Sequence, residues 1–204
     1  MTPKLSNALM TIRAVAGPDV LLSDVTRVAG LIGLDVGARI LPHAPDFTPV
    51  AATALFAASA LRLRALSILV PVAAMFLADA ALGFYDLRVM AAVYAALALP
   101  AVAVAASPRL RRPAMIAPVL VSSSLAFFAV TNFAVWAFSP MYSASAAGLV
   151  ECYAAALPFL KNMIAGDLFW GLVLFGGSWA LRNIMLPTPE LPEVVARQHA
   201  DAAG

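Results

Sequence analysis

Residues 107–138 read SPRLRRPAMIAPVLVSSSLAFFAVTNFAVWAF. The opening SPRLRRP sets Arg109, Arg111 and Arg112 between two prolines, and the stretch 114–138 that follows carries no charge at all. A helix needs about 20 apolar residues to cross the hydrocarbon of a bilayer. The stretch therefore reads as an arginine-rich turn feeding a membrane-crossing helix. Short cytoplasmic turns are enriched in Lys and Arg, so the turn marks the cytoplasmic side.

Working outward, further apolar runs fall at 20–41, 49–64, 66–84, 89–106 and 164–181. The run 49–64 is short and ends in Arg62 and Arg64, whose stems can snorkel to the interface. Charge asymmetry tests the count. With the N-terminus inside (Lys4, Arg13), the turn 42–48 lies outside and has no Lys or Arg. The turn 62–65 is inside with Arg62 and Arg64; 85–88 is outside with only Arg88; 107–113 is inside. The connection 139–163 is then outside with only Lys161, and Arg182 is inside. Every turn obeys the positive-inside rule, and a re-entrant 49–64 would reverse all later ones. The fold class expected is all-α: a polytopic six-transmembrane-helix bundle with both termini cytoplasmic. Residues 1–19 form a cytoplasmic N-terminal segment without the apolar core of a cleaved signal, 20–186 the transmembrane domain, and 187–204 a cytoplasmic tail opened by Pro187, Pro189 and Pro192. Inside the connection 139–163, the apolar Ala147–Leu157 before Pro158 is expected to lie on the membrane surface or dip into the bundle.

Composition agrees. The chain has 204 residues, 63% hydrophobic and 12% charged, against about 45–50% and about 25% in soluble domains. A net charge of +2 with no aromatic-interleaved basic stripe argues against nucleic acid. Cys152 is the lone cysteine, so neither a disulfide framework nor a CxxC metal site exists. No nucleophile elbow, zinc-protease, Walker or dinucleotide signature appears. The expectation is a protein that is not an enzyme, with no catalytic and no metal residues and no cofactor indicated. Gly176-Gly177 lies inside an apolar helix and reads as close packing.

Polar and aromatic residues gather on the outer side. His43, Asp46, Phe47 and Thr48 fill the first outer turn, and Asp79 lies in the outer half of the third run. Asn132 and Trp136 follow in the fifth. Tyr142, Glu151, Cys152 and Tyr153 lie in the long connection, and Lys161, Asn162 and Asp167 open the sixth helix. An apolar pocket with a few placed polar groups is what a small-molecule site needs. The candidate ligand-binding residues are accordingly His43, Asp46, Phe47, Asp79, Asn132, Trp136, Cys152, Tyr153, Asn162 and Asp167. Plainer roles compete. Asp35 with Arg39 (i,i+4) and Asp24 with Arg27 can neutralise each other along one helix face. Asn132 can bond a neighbouring helix, Trp136, Tyr142 and Tyr153 can form an interfacial belt, and Asp167 can cap a helix. Asp79 has no partner on its own helix and needs a cavity or another helix. The first outer turn, stiffened by Pro42, Pro45 and Pro49, is expected to cap a pocket between helices one, three, five and six, with Asp79 and Asn132 pointing inward. Small residues repeat at every fourth position: Ala29, Gly33 and Gly37; Ala54 and Ala58; Ala74 and Ala78. Such stripes pack helices within a bundle, the favoured reading, or dock another membrane subunit.

The segment LPHAPDFTPV (41–50) with Ala54-Leu55-Phe56, the segment TNFAVW (131–136), and Gly148-Leu149, Cys152-Tyr153, Leu157-Pro158-Phe159, Asn162 and Gly166-Asp167 together resemble a family of small uncharacterised bacterial membrane proteins. The resemblance spans about 25–185 and implies a multi-pass protein of the bacterial cytoplasmic (inner) membrane. More distantly, the architecture is similar to the substrate-binding S components of energy-coupling-factor vitamin transporters. That resemblance implies an outward-facing site for a small molecule, such as a vitamin or cofactor precursor, and a small-residue face for a membrane coupling subunit. The function expected is a substrate-binding or transport subunit whose partners are the lipid bilayer, that coupling subunit and the ligand. The alternative is a structural or assembly subunit of a larger membrane complex.

Overall fold

A computed structural model of the chain describes residues 18–185; nearly all of the N-terminal segment and the whole Pro-rich tail lie outside the described residues. The described residues are helical, without strands. The elements are α1 (Pro18–Ile40), α2 (Val50–Ala60), α3 (Leu69–Leu82), α4 (Leu87–Ala106), α5 (Pro113–Phe138), α6 (Ala146–Gly171) and α7 (Gly177–Met185). A 3-10 turn, Arg64–Ile68, leads into α3; another, Pro108–Arg111, joins α4 to α5; a π-turn, Leu172–Gly176, joins α6 to α7. Among the described residues, four stretches are long and apolar enough to cross a membrane: Arg64–Leu82, Leu87–Ala106, Pro113–Phe138 and Ala146–Ile184.

The short helix α2 is the centre of the bundle. Ala52, Ala54, Leu55 and Ala57 have no exposed surface, and α2 meets α1, α3, α4, α5 and α6. Its alanines let neighbouring backbones come close, which is how helices gain van der Waals contact in lipid. Two aspartates of α1 hold it antiparallel. At one end Thr53 Oγ1 donates to Asp35 Oδ2 at 2.7 Å. At the other, the backbone N–H groups of Arg62 and Leu63 both donate to Asp24 Oδ2 at 2.9 Å. Both carboxylates are fully buried. Asp24 thus satisfies two backbone donors of the turn between α2 and the 3-10 segment that follows it. Eleven residues rise only about 16 Å. The helix is shorter than a bilayer crossing needs, and protein covers most of it: eight of its eleven residues are buried.

The long connection expected at 139–163 is a finding against the sequence reading. Only 139–145 link α5 to α6, and Ala147–Leu157 forms the first turns of α6 rather than a separate surface segment. Ser145 caps the helix by accepting from Gly148 N at 3.1 Å. Gly148 has to be glycine: a Cβ there would overlap the Ser143 carbonyl. From Ala146 the chain stays helical for 39 residues to Ile184, about 58 Å, through Pro158 and the π-turn. Lys161, Asn162 and Asp167 therefore lie in mid-helix, and Asp167 is no cap. Gly177, read from sequence as close packing, has nothing within 4 Å of its Cβ position; Gly176 meets only Leu172. Both flank the π-turn.

The small-residue stripes divide. Ala54, Ala58, Ala74 and Ala78 are buried, as bundle packing requires. The stripe on α1 is not: Ala29 and Gly33 are exposed, and Gly33 and Gly37 have open space where a Cβ would stand. The buried face of α1 is taken by Asp24, Leu31 and Asp35 instead.

Candidate functional site

The loop 41–49 covers one end of the bundle. Its prolines limit φ, Phe47 N donates to Ala44 O at 3.0 Å, and Asp46 adopts a left-handed conformation (φ 59). The loop seats on α6. A Cβ at Gly166 would lie 3.0 Å from Phe47 Cα, so only glycine lets the loop approach this closely. The Phe47 ring packs on Phe169 at 5.6 Å.

Beneath the loop lies a cavity of about 40 Å³. Its polar lining is Arg39, Asp46, Thr48, Ser123, Ser124 and Asp167; Met75, Phe127 and Met163 supply apolar walls. At about 10–15 Å³ per probe sphere it holds roughly three waters, far below the usual 300–1,000 Å³ of a drug-sized site. Every helix from α2 to α6 contributes to it, including α2 and α4, which were not among the expected walls. Asp167, 3% exposed, accepts from Ser124 Oγ at 2.6 Å. Asp46 is exposed as a residue, yet the protein around its carboxyl pushes it above the usual carboxylate range, while the charges of Arg39 and His43 draw it partly back.

Arg39 does not pair with Asp35, four residues away. Its Nη2 reaches Asp79 Oδ1 at 3.3 Å, and Tyr94 Oη donates to Asp79 Oδ2 at 2.8 Å. Asp79 thus finds partners on α1 and α4 and acts on the cavity through Arg39, without lining it. The other proposed pair forms: Arg27 Nη1 lies 3.4 Å from Asp24 Oδ1. Among the described residues Asp35 bonds Thr53, and its Oδ1 has no partner.

Four candidates assemble elsewhere, where α5 meets α6. Cys152 Sγ donates to Asn132 O at 3.4 Å, Tyr153 Oη to Ala129 O, and Trp136 Nε1 to Ser143 O at 3.0 Å. Asn132, expected to point into the pocket, donates instead to Phe128 O of its own helix at 2.8 Å. The bonds of Cys152 and Tyr153 fasten α6 to α5, and none of the four residues lines the cavity. His43 is exposed and bonds Leu41 O at 2.7 Å. Asn162 is half-buried outside the cavity lining. The structure thus brings Asp46 and Asp167 into one wall, with Phe47 seated above and Asp79 behind Arg39.

Ser123, Ser124 and Met163 escaped the sequence reading. The signal was the run Ser122-Ser123-Ser124 in the middle of an otherwise apolar helix. No match to the chain was found among curated proteins or among solved structures. Residues 21–190 match the model of the family of unknown function DUF6580, and the chain belongs to that family.

Proposed function

We propose that this chain is a six-crossing subunit of a bacterial cytoplasmic membrane, with both termini cytoplasmic, that binds a small molecule entering from the outer side. The observation that carries the reading is the cavity under the loop 41–49. Ionisable groups inside a membrane bundle are costly and usually mark a ligand or ion path. Arg39 is ion-paired with Asp79 and acts on Asp46 only at longer range, and Asp167 bonds Ser124, so the lining holds two carboxylates against one cation. Such a lining favours a ligand that donates hydrogen bonds or carries positive charge. At about 40 Å³ the site is small, and a vitamin-sized molecule fits only if the loop lifts off Gly166. The six-crossing count is supported by the antiparallel run of α1 and α2 and by the arginines at Arg62, Arg64 and 109–112, which this topology puts on one side. Energy for transport would come from partner subunits.

Ligand binding stabilises the folded state by about 2.7 kcal/mol at a hundredfold excess over Kd. A thermal-shift screen of vitamins, cofactor precursors and small amines on purified protein is expected to yield a hit that Asp167→Asn weakens. A broad library with no hit sinks the reading. One observation favours a second role, a structural or assembly subunit: the open face at Gly33 and Gly37 suits a neighbouring membrane helix. Native purification in mild detergent separates the two, since the assembly role requires a stable complex with non-transport proteins.

A further inference from the structure

The cavity has a neighbour. An apolar cleft of about 430 Å³ runs between α4 and α5 from Ser123 towards the arginine turn. Its walls include Leu99, Val102, Ala103, Met115 and Val119. Leu99 and Val102 are 40% and 46% exposed, so the cleft opens on the lipid-facing surface. Ser123 forms part of the wall of both spaces. The serine run follows the same division: Ser122 lines the cleft, Ser124 the cavity, and Ser123 both. Pro100 of α4 has no N–H for the carbonyl of Ala96, which lines the cavity. Pro118 of α5 lines the cleft. Both helices are thus weakened where they border the shared wall.

The two spaces differ in chemistry. The cavity sets charged and hydroxyl groups among apolar walls, its two carboxylates outnumber its one cation, Arg39, and it is large enough only for a head group. The cleft is apolar and roomy, and the bilayer reaches it directly. Joined past Ser123 they reach the several hundred Å³ usual for an organic ligand, roughly 300–1,000 Å³, with polar groups confined to one end. We propose that the ligand is an amphiphile: an amine or other cationic head held by Asp167 and Ser124 in the cavity, and a single apolar chain lying between α4 and α5. This rests on the proposed binding role and names its ligand class. The molecule would arrive with its chain already in the bilayer, through the α4–α5 opening.

The test uses full-length protein in phosphatidylcholine nanodiscs and a dodecylamine analogue with a diazirine in its chain, with crosslinks mapped by mass spectrometry. Labelling is expected to concentrate on 99–103 and 115–126. An excess of dodecylamine should suppress it, and dodecanol, with the same chain and no charge, should not. Asp167→Asn is expected to weaken labelling about tenfold, the loss implied by one charge-assisted contact. Ser123→Phe should abolish it by closing the shared wall. The dodecanol competition needs no variant, so misfolding of either one does not blunt the test. Equal competition by dodecanol overturns the proposal. So does labelling spread evenly over other lipid-facing grooves, such as that of Phe133, Val150 and Leu157, since the cleft then holds bilayer chains only. If butylamine stabilises the protein while the cleft stays unlabelled, the binding role stands and the amphiphile falls. If no amine binds, the amphiphile falls, and the broad library screen alone decides the binding role.

Discussion

Replacing Asp79 by asparagine isolates the charge that holds Arg39. Asparagine keeps the shape and one acceptor oxygen, enough for Tyr94 Oη; the negative charge and the acceptor facing Arg39 are lost together. Removing one partner of a buried ion pair costs about 3–5 kcal/mol, because the other charge is left uncompensated. Here the Arg39 side chain is 27% exposed and touches Asp79 at 3.3 Å through a single nitrogen. Partial solvation and one long contact in place of a bidentate pair bring the figure down to about 1.5–2.5 kcal/mol. Arg39→Gln in the same protein removes the stranded charge, so the double variant should recover most of the loss. A double-mutant cycle, read from unfolding in mixed micelles, should give a coupling of about 1–2 kcal/mol. Binding per folded molecule should fall as well, since Arg39 lines the cavity and loses its anchor. Additivity of the two substitutions within about 0.5 kcal/mol would refute the pairing. Full stability of Asp79→Asn with binding abolished would refute the positioning role and make Asp79 itself a ligand group.

Gly166→Ala is expected to cost about 1–3 kcal/mol, the usual range for overpacking, because the new methyl meets Phe47 backbone. A cysteine at His43 should then label faster as the loop lifts; unchanged stability and labelling would exclude the close seat. Asp46 predicts a pH effect. Its folded-state pKa lies above the ordinary 3.8, so its contribution is fullest at low pH and is lost as pH rises from about 3.8 through the raised value. Asp46→Asn should therefore gain stability relative to the parent across that window, measured as unfolding midpoint against pH; a gap that shrinks with pH contradicts the assignment. Topology is checked with single cysteines in a Cys152→Ala background. His43→Cys should react with impermeant reagent from outside and Arg111→Cys only from inside, and outside reaction at 111 would end the six-crossing arrangement. In the parent, Cys152, 2% exposed and bonded to Asn132 O, should stay unlabelled until the protein unfolds.

The helical class and most helix positions were legible from apolar runs and the turns between them, because a bilayer demands long uncharged stretches with internally bonded backbone. The seating of the loop was partly legible too: the LPHAPDFTPV segment and Gly166-Asp167 stood out in the chain, and they prove to touch each other. The start of α6 was misread, because Pro158 and Lys161 suggest a break that its packing against α5 overrides.

Partner choice was the property that needed tertiary structure. Arg39 has Asp35 one turn away and Asp79 forty residues away, and it takes the distant one. Asp35 faces α2, where Thr53 meets it, and spacing along one helix carries no information about which face a neighbouring helix covers. The α1 stripe makes the same point, since among the described residues Gly33 has open space where a Cβ would stand, while Ala54 is fully buried. In water, a polar face would have marked the outside of each helix. In a bilayer the inner and outer faces are both apolar, so the sequence by itself determined that the chain forms long apolar helices suited to a membrane and roughly where they turn. Which side of each one faces inward, and with it the cavity at Ser124 and Asp167, was decided only when the helices packed.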